Sequence, residues 1–108
     1  MSCEYVITGL GIVSPIGIGQ SAFWDALFAG RTGIKEIKGF DTKGHRSRLG
    51  AEITPDDIDA VFSDRRFRRA ANISKYCLAA AGLAIEDSGL DPSGWDPARV
   101  GLVVGVTH

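Results

Sequence analysis

The sequence predicts an α/β fold in which helices are layered on a mostly parallel sheet, and three observations lead there. Residues 5–13 (YVITGLGIV) and 100–106 (VGLVVGV) are apolar, β-branched runs without strict alternation, the pattern of strands covered on both faces. The segments between them place apolar residues at helical spacing. The order strand, helix, excursion, helices, strand is the one a chain follows when it crosses a sheet to lay down a parallel neighbour.

The first run is expected to be a central strand. SPIGIG follows, in which Pro15, Gly17 and Gly19 interrupt regular structure before Ser21 offers a side-chain oxygen to the free amides of a helix. That helix is predicted to reach about Ala29, with Phe23, Trp24, Leu27 and Phe28 at helical spacing and Gly30 as a left-handed stop. Residues 31–53 mix glycine, charge and isolated aliphatics and read as a surface excursion, with a short strand over 49–53. Thr54, Pro55, Asp56 and Asp57 form a helix start: threonine caps, proline is tolerated in the first turn, and carboxylates favour the positive end. A short helix to about Phe62 is expected. Ser63 opens a second helical zone, whose longest part, 74–88, sets alanines and Cys77 on a narrow face that lets another element approach closely. Gly89 stands where a left-handed stop belongs, with Leu90 for the accompanying apolar contact. Residues 91–99 form a loop before the second strand.

A length of 108 residues is one domain or part of one. Twelve Lys and Arg against thirteen Asp and Glu give a net charge of -1, with 44% hydrophobic and 23% charged residues, which argues against disorder and against a nucleic-acid surface. The two cysteines, Cys3 and Cys77, are too sparse for a disulfide framework or a recurring metal-ligand spacing, so no metal is expected and a cytoplasmic, reducing location fits. No run of about 18 apolar residues exists, so no membrane span is expected, and the N-terminus has no signal-peptide pattern. Two strands and a short third make a very small sheet, and strands apolar on both faces need helices above and below. The expectation is therefore that residues 1–108 are an incomplete domain, either an N-terminal fragment or one part of a split protein, with no second domain.

Few residues carry chemistry by themselves. Gly9, Leu10 and Gly11 invite comparison with a dinucleotide fingerprint, and a free-standing nucleotide-binding α/β module is one reading. Against it, the third glycine is missing, 15–19 delay the helix, and no acid follows a second strand at the required distance. The other reading is structural, with glycines that let the strand pack closely and turn sharply. Arg65, Arg66, Arg68 and Arg69 are the only dense basic patch, either a solvated helix face or a docking site for an acidic partner. Cys77 among alanines reads as a buried, inert thiol, Cys3 as a strand-edge residue and His45 as solvated. His108 follows the last strand at the end where open α/β sheets place ligands, without a visible partner. No Ser-His-Asp, Cys-His or paired-carboxylate constellation can be assembled.

The ordered combination of TGLG, SPIG, the tryptophan-bearing helix, AGRTGI and FDT within residues 6–42 closely resembles the opening of β-ketoacyl-acyl-carrier-protein synthases. The resemblance continues through DRRFRRAANISKYCLAAAGLAIEDSGLD and ends in RVGLVVG, so it spans essentially the whole chain while covering only the first part of such an enzyme. It implies a thiolase-like layered fold, present here as an incomplete N-terminal portion. It also implies a transferase of fatty acid or polyketide synthesis that performs decarboxylative Claisen condensation of carrier-bound acyl and malonyl thioesters, without a cofactor. The implied partners are the acyl carrier protein and a second subunit, in a homodimer or a ketosynthase/chain-length-factor heterodimer. The family's nucleophilic cysteine and its histidines are expected beyond residue 108, so these 108 residues alone are expected to be inactive. A non-catalytic chain-length-factor-type subunit of the same fold is the alternative within the family. Gly105 matches the glycine after the family's strand, and His108 falls where members place a residue lining or gating the acyl pocket, with Thr107 beside it. Val106 and Thr107 stand where fatty-acid members usually carry Ser and Gly, a departure that the resemblance reads as a changed acyl substrate, a specialised polyketide-type enzyme, or a chain-length-factor subunit that keeps the fold but lacks the nucleophile.

Overall fold

The computed structural model of the chain describes residues 2–107. Its elements are β1 (Val13–Ser14), β2 (Gly17–Ile18), α1 (Gln20–Phe28), β3 (Ile34–Glu36), β4 (Leu49–Ala51), α2 (Pro55–Asp59) and α3 (Asn72–Ser88), with 3-10 turns at Arg65–Phe67, Pro92–Gly94 and Pro97–Arg99.

Most helix ends follow from local chemistry. Thr54 and Asp57 close a capping box on α2: the Asp57 amide donates to Thr54 Oγ1 at 3.3 Å, and the Thr54 amide donates to Asp57 Oδ2 at 3.0 Å. Pro55 occupies the first turn as expected, and Ile58, 1% exposed, anchors the helix in the core. The helix stops at Asp59, short of the expected Phe62. α3 starts at Asn72, two residues before the expected position, and ends on Gly89 at φ 67°, the left-handed stop read from the sequence. Gly30 plays the same part after α1, at φ 66°. The start of α1 differs from expectation: Gly19, at φ 88°, is the capping residue, no side chain caps, and Ser21 lies within the first turn. A flexible backbone thus turns the chain where a hydroxyl was expected to hold it.

The two glycines of TGLG serve packing. A Cβ on Gly11 would stand 2.7 Å from the Ala84 nitrogen, and one on Gly9 2.8 Å from the Ser88 nitrogen, each with a backbone carbonyl of α3 closer still. Residues 9–11 therefore lie directly on the α3 backbone along Ala80, Ala84 and Ser88, which recur at one helical turn and present small side chains. Between the glycines, the Leu10 amide donates to Asp87 Oδ2 at 2.9 Å and the Leu10 carbonyl accepts from Gln20 Nε2 at 3.0 Å. The peptide is tied to α3 on one side and α1 on the other.

The sheet departs from the expectation of mostly parallel pairing. Among the described residues every ladder is antiparallel: β1 pairs with β2 across a two-residue turn at Pro15 and Ile16, and β3 pairs with β4, with Ile34 opposite Ala51 and Glu36 opposite Leu49. The short strand expected at 49–53 is present as β4, and its partner β3 lies in the segment read as irregular. The two apolar runs at 5–13 and 100–106 were expected to be buried parallel strands. They follow the chain outside any ladder apart from the two-residue β1 at the end of the first, and they are largely open to solvent: Tyr5 is 92%, Ile7 83% and Val103 97% exposed. A buried strand needs neighbours on its edges and cover on both faces, and the rest of the described chain provides no other edge neighbour and only partial cover, by α3, on one face. The consequence is visible in overall dimensions. The Cα radius of gyration is 16.9 Å, against about 13 Å for a compact domain of this length. The accessible surface is 9201 Å², against roughly 5,800 Å² for a compact monomer of this mass.

Candidate functional site

α3 presents one broad side to both apolar runs. Its C-terminal half carries residues 9–11, and its N-terminal half forms a cleft of about 550 Å³ with the run at 100–106. Ile73, Ser74, Cys77, Leu78 and Ala81 line it at the spacing of a single helix face, with Ala70 just before the helix. Leu102, Val104 and Val106 line the opposite wall, alternate residues of extended backbone, while the intervening Val103 turns to solvent. Cys77, read from the sequence as buried, is half-buried and on this wall. With one thiol and one hydroxyl among aliphatic and aromatic groups, the cleft is suited to an aliphatic chain or apolar side chains and holds no acid or base for proton transfer. Thr107 is exposed and follows the wall residue Val106 without lining the cleft; His108 lies outside the described residues.

The arginine patch sits where the chain turns from α2 into α3. Asp64 caps the 3-10 turn Arg65–Phe67 by accepting from the Arg66 amide at 2.9 Å, and pairs with the Arg66 guanidinium at 2.6 Å. The Arg66 side-chain hydrogen bonds hold the Asp64 carboxyl below the usual carboxylate range and push the guanidinium further up. Arg66 also lies over the Phe67 ring, 5.4 Å from its centre. Arg65 and Arg68, together with Lys75 from the first turn of α3, line a half-open cavity of about 230 Å³ whose apolar wall is Phe62 and Phe67, with ring centres 6.0 Å apart. Lys75 was not singled out from the sequence. Its signal is the seven-residue step from Arg68, which carries meaning only once the turn at 70–72 is known.

A third depression, about 510 Å³, lies between the β1–β2 turn, the β3–β4 hairpin and α2. Its carboxylates serve the fold: Glu52 accepts from the amides of Lys38 and Gly39 at 2.8 and 3.0 Å, and Asp57 closes the α2 cap. Cys3 is exposed, and His45 is exposed with its ring edge-on to Phe40. No helix of the described residues is long and apolar enough to cross a membrane.

Comparison with known proteins gives this geometry a context. The sequence profile described as beta-ketoacyl synthase, N-terminal domain, matches residues 4–108. The ketoacyl synthase alpha subunit of the tetracenomycin polyketide synthase of Streptomyces glaucescens is 41% identical over 100 residues, covering 93% of this chain and 24% of that protein. The 3-oxoacyl-[acyl-carrier-protein] synthase 2 of Coxiella burnetii is 37% identical over 100 residues, with the same coverage of each. Among solved structures, the ishigamide ketosynthase/chain length factor superposes with a TM-score of 0.70 at 31% identity, over 82% of this chain and 22% of that one. The chain thus spans about a quarter of the length of the curated relatives it matches.

Proposed function

Since the chain belongs to the β-ketoacyl synthase family through that family's N-terminal domain, we propose that the protein it belongs to is a condensing enzyme of polyketide or fatty acid synthesis, with residues 1–108 as the first portion of its ketosynthase domain. In the proposed reaction a cysteine thiolate, supplied by sequence beyond residue 108, takes an acyl group from a carrier-protein thioester and releases the carrier thiol. A malonyl thioester on a second carrier loses carbon dioxide. The resulting enolate attacks the enzyme-bound acyl thioester, forms the carbon-carbon bond and expels the cysteine thiolate, leaving a β-ketoacyl carrier. Fixed hydrogen-bond donors at the developing oxyanion lower that barrier. No cofactor enters.

The observation that carries this reading is the family match over residues 4–108, with relatives of both pathways at 41% and 37% identity. The test is to incubate the full-length protein with acyl- and malonyl-carrier thioesters and follow the carrier by intact mass. A product two carbons longer than the acyl primer, with release of carbon dioxide, is expected; decarboxylation and condensation both absent would refute it. A second reading, a non-catalytic chain-length-factor-type subunit, stands beside it because one solved neighbour carries both names, ketosynthase and chain length factor. It predicts product only after a cysteine-bearing subunit is added.

Two finer assignments belong to the same proposal. The acidic carrier protein docks on the exposed arginines, of which Arg65, Arg68 and Arg69 make no ion pair within the described residues. Thr107 and His108, which follow the cleft-lining Val106 in the sequence, border or gate the acyl pocket in this reading. Exchanging His108 for alanine in the complete protein is then expected to change acyl-length preference, and an unchanged product distribution would refute the gate. Pairing is expected with a second copy or a chain-length-factor partner, and size-exclusion mass of the full-length protein reads it.

A further inference from the structure

We infer that the cavity bounded by Arg65, Arg68 and Lys75 is a binding subsite for a phosphate monoester. Three cations from two segments line one cavity of about 230 Å³ that also contains the Asp59 and Asp64 carboxylates. Yet the only ion pair within 4 Å among the described residues is Arg66 with Asp64, so the three lining cations stay unpaired beside acids that could have neutralised them. With Asp64 taken by Arg66, the remaining lining charge is three cations against Asp59, a net of +2. A phosphate monoester carries close to two negative charges at neutral pH and matches that balance, where a carboxylate supplies one. Planar guanidinium forks from Arg65 and Arg68 suit tetrahedral phosphate oxygens, with Lys75 as a point charge. The cavity is larger than a bare phosphate needs, and its apolar wall, the Phe62 and Phe67 rings, faces the space left for the organic group of the ester. The ligand class is thus a phosphate monoester with a flat or apolar substituent; the subsite shares Arg65 and Arg68 with the proposed carrier-docking patch but does not rest on the condensation reading.

The experiment titrates the full-length protein with phenyl phosphate and with inorganic phosphate by calorimetry, in a buffer of constant ionic strength. Saturable binding is expected, with phenyl phosphate at least threefold tighter. Arg68→Gln and Lys75→Gln are each expected to weaken it at least tenfold, while Arg99→Gln, outside the cavity, leaves it unchanged. Affinity should fall as pH drops through about 6, where the dianion takes up a proton. Binding that does not saturate, equal loss in Arg99→Gln, or no preference for the phenyl ester would each overturn the inference. Far-UV circular dichroism identifies a variant that unfolds; Lys75→Met, which keeps the helix-forming stem, then replaces it.

Discussion

Gly11 and Gly82 differ by nothing in chemistry and by everything in surroundings, so the same replacement by alanine is expected to act with opposite sign. At Gly11 the new methyl would overlap the Ala80 carbonyl oxygen and sit 2.7 Å from the Ala84 nitrogen, where ordinary contact begins at 3.4 Å, so the segment must lift from α3 by more than 0.7 Å. That lift stretches the Leu10 amide to Asp87 hydrogen bond from 2.9 Å to beyond about 3.6 Å, past the useful limit. Overpacking of about 1–3 kcal/mol plus a surface-weakened hydrogen bond of about 1 kcal/mol gives a loss of about 2–4 kcal/mol. Gly82 lies inside α3 with nothing within 4 Å of its added methyl, so Gly82→Ala should gain about 0.5–1 kcal/mol from helix propensity alone. Urea unfolding of the two variants and the parent, read at equal protein concentration, measures both. A Gly11→Ala variant within 0.5 kcal/mol of the parent, or a Gly82→Ala variant as damaged as Gly11→Ala, would refute the close-approach account of the TGLG segment.

Further outcomes follow from other parts of the fold. The Asp57 carboxyl is held below the usual carboxylate range first by the Thr54 side-chain hydrogen bond and then by the Thr54 backbone amide. A depressed folded value means its stabilisation is present above the unfolded value near 3.9 and is lost as pH falls through the lowered folded one. Thr54→Ala should therefore cost about 1 kcal/mol at pH 7 and less at pH 2, measured by thermal melting at both. Gly89→Ala should cost about 1–2 kcal/mol through backbone conformation alone, since φ is 67° and the methyl meets nothing; Gly89→Asn should cost less, and equal losses would contradict that cause. Under the proposed carrier docking, Arg68→Glu with Arg69→Glu in the complete protein should raise the KM for the carrier protein about tenfold at low salt, with the difference shrinking toward 1 M, where screening acts within about 3 Å; an unchanged KM would refute that docking. In the 108-residue polypeptide on its own, amides of 5–9 and 100–106 should exchange rapidly in pulse labelling because no ladder protects them, and slow exchange there would contradict the exposed runs.

What the sequence made legible was chemistry confined to a few neighbouring residues. The Thr54 cap with Pro55, the Gly30 and Gly89 stops and the body of α3 are set by hydrogen bonds and backbone sterics within one helical turn, and each stands where it was read. The small-residue face of α3 and the structural reading of Gly9 and Gly11 were also separately visible; that they meet required the tertiary fold. Sheet topology was the opposite case. The apolar runs at 5–13 and 100–106 carry the composition of buried strands, but a ladder is a property of two segments, and their partners are not among the described residues. The β1–β2 turn was missed because SPIG was read only as an interruption, and β3 because Ile34, Lys35 and Glu36 are too few to show alternation. At the site, Arg65 and Arg68 were legible as charge; the cavity they share with Lys75 depends on the turn between two helices.

The Leu10 backbone, held by Gln20 on one side and Asp87 on the other, bridges α1 and α3. Slipping α3 by one residue would swing Asp87 about 100° around the axis and unfasten that bridge, so length changes near either end of it cost its hydrogen bonds. The charged hairpin loop at 37–48 lies off this linkage, and extra residues inserted there would leave the two helices in step.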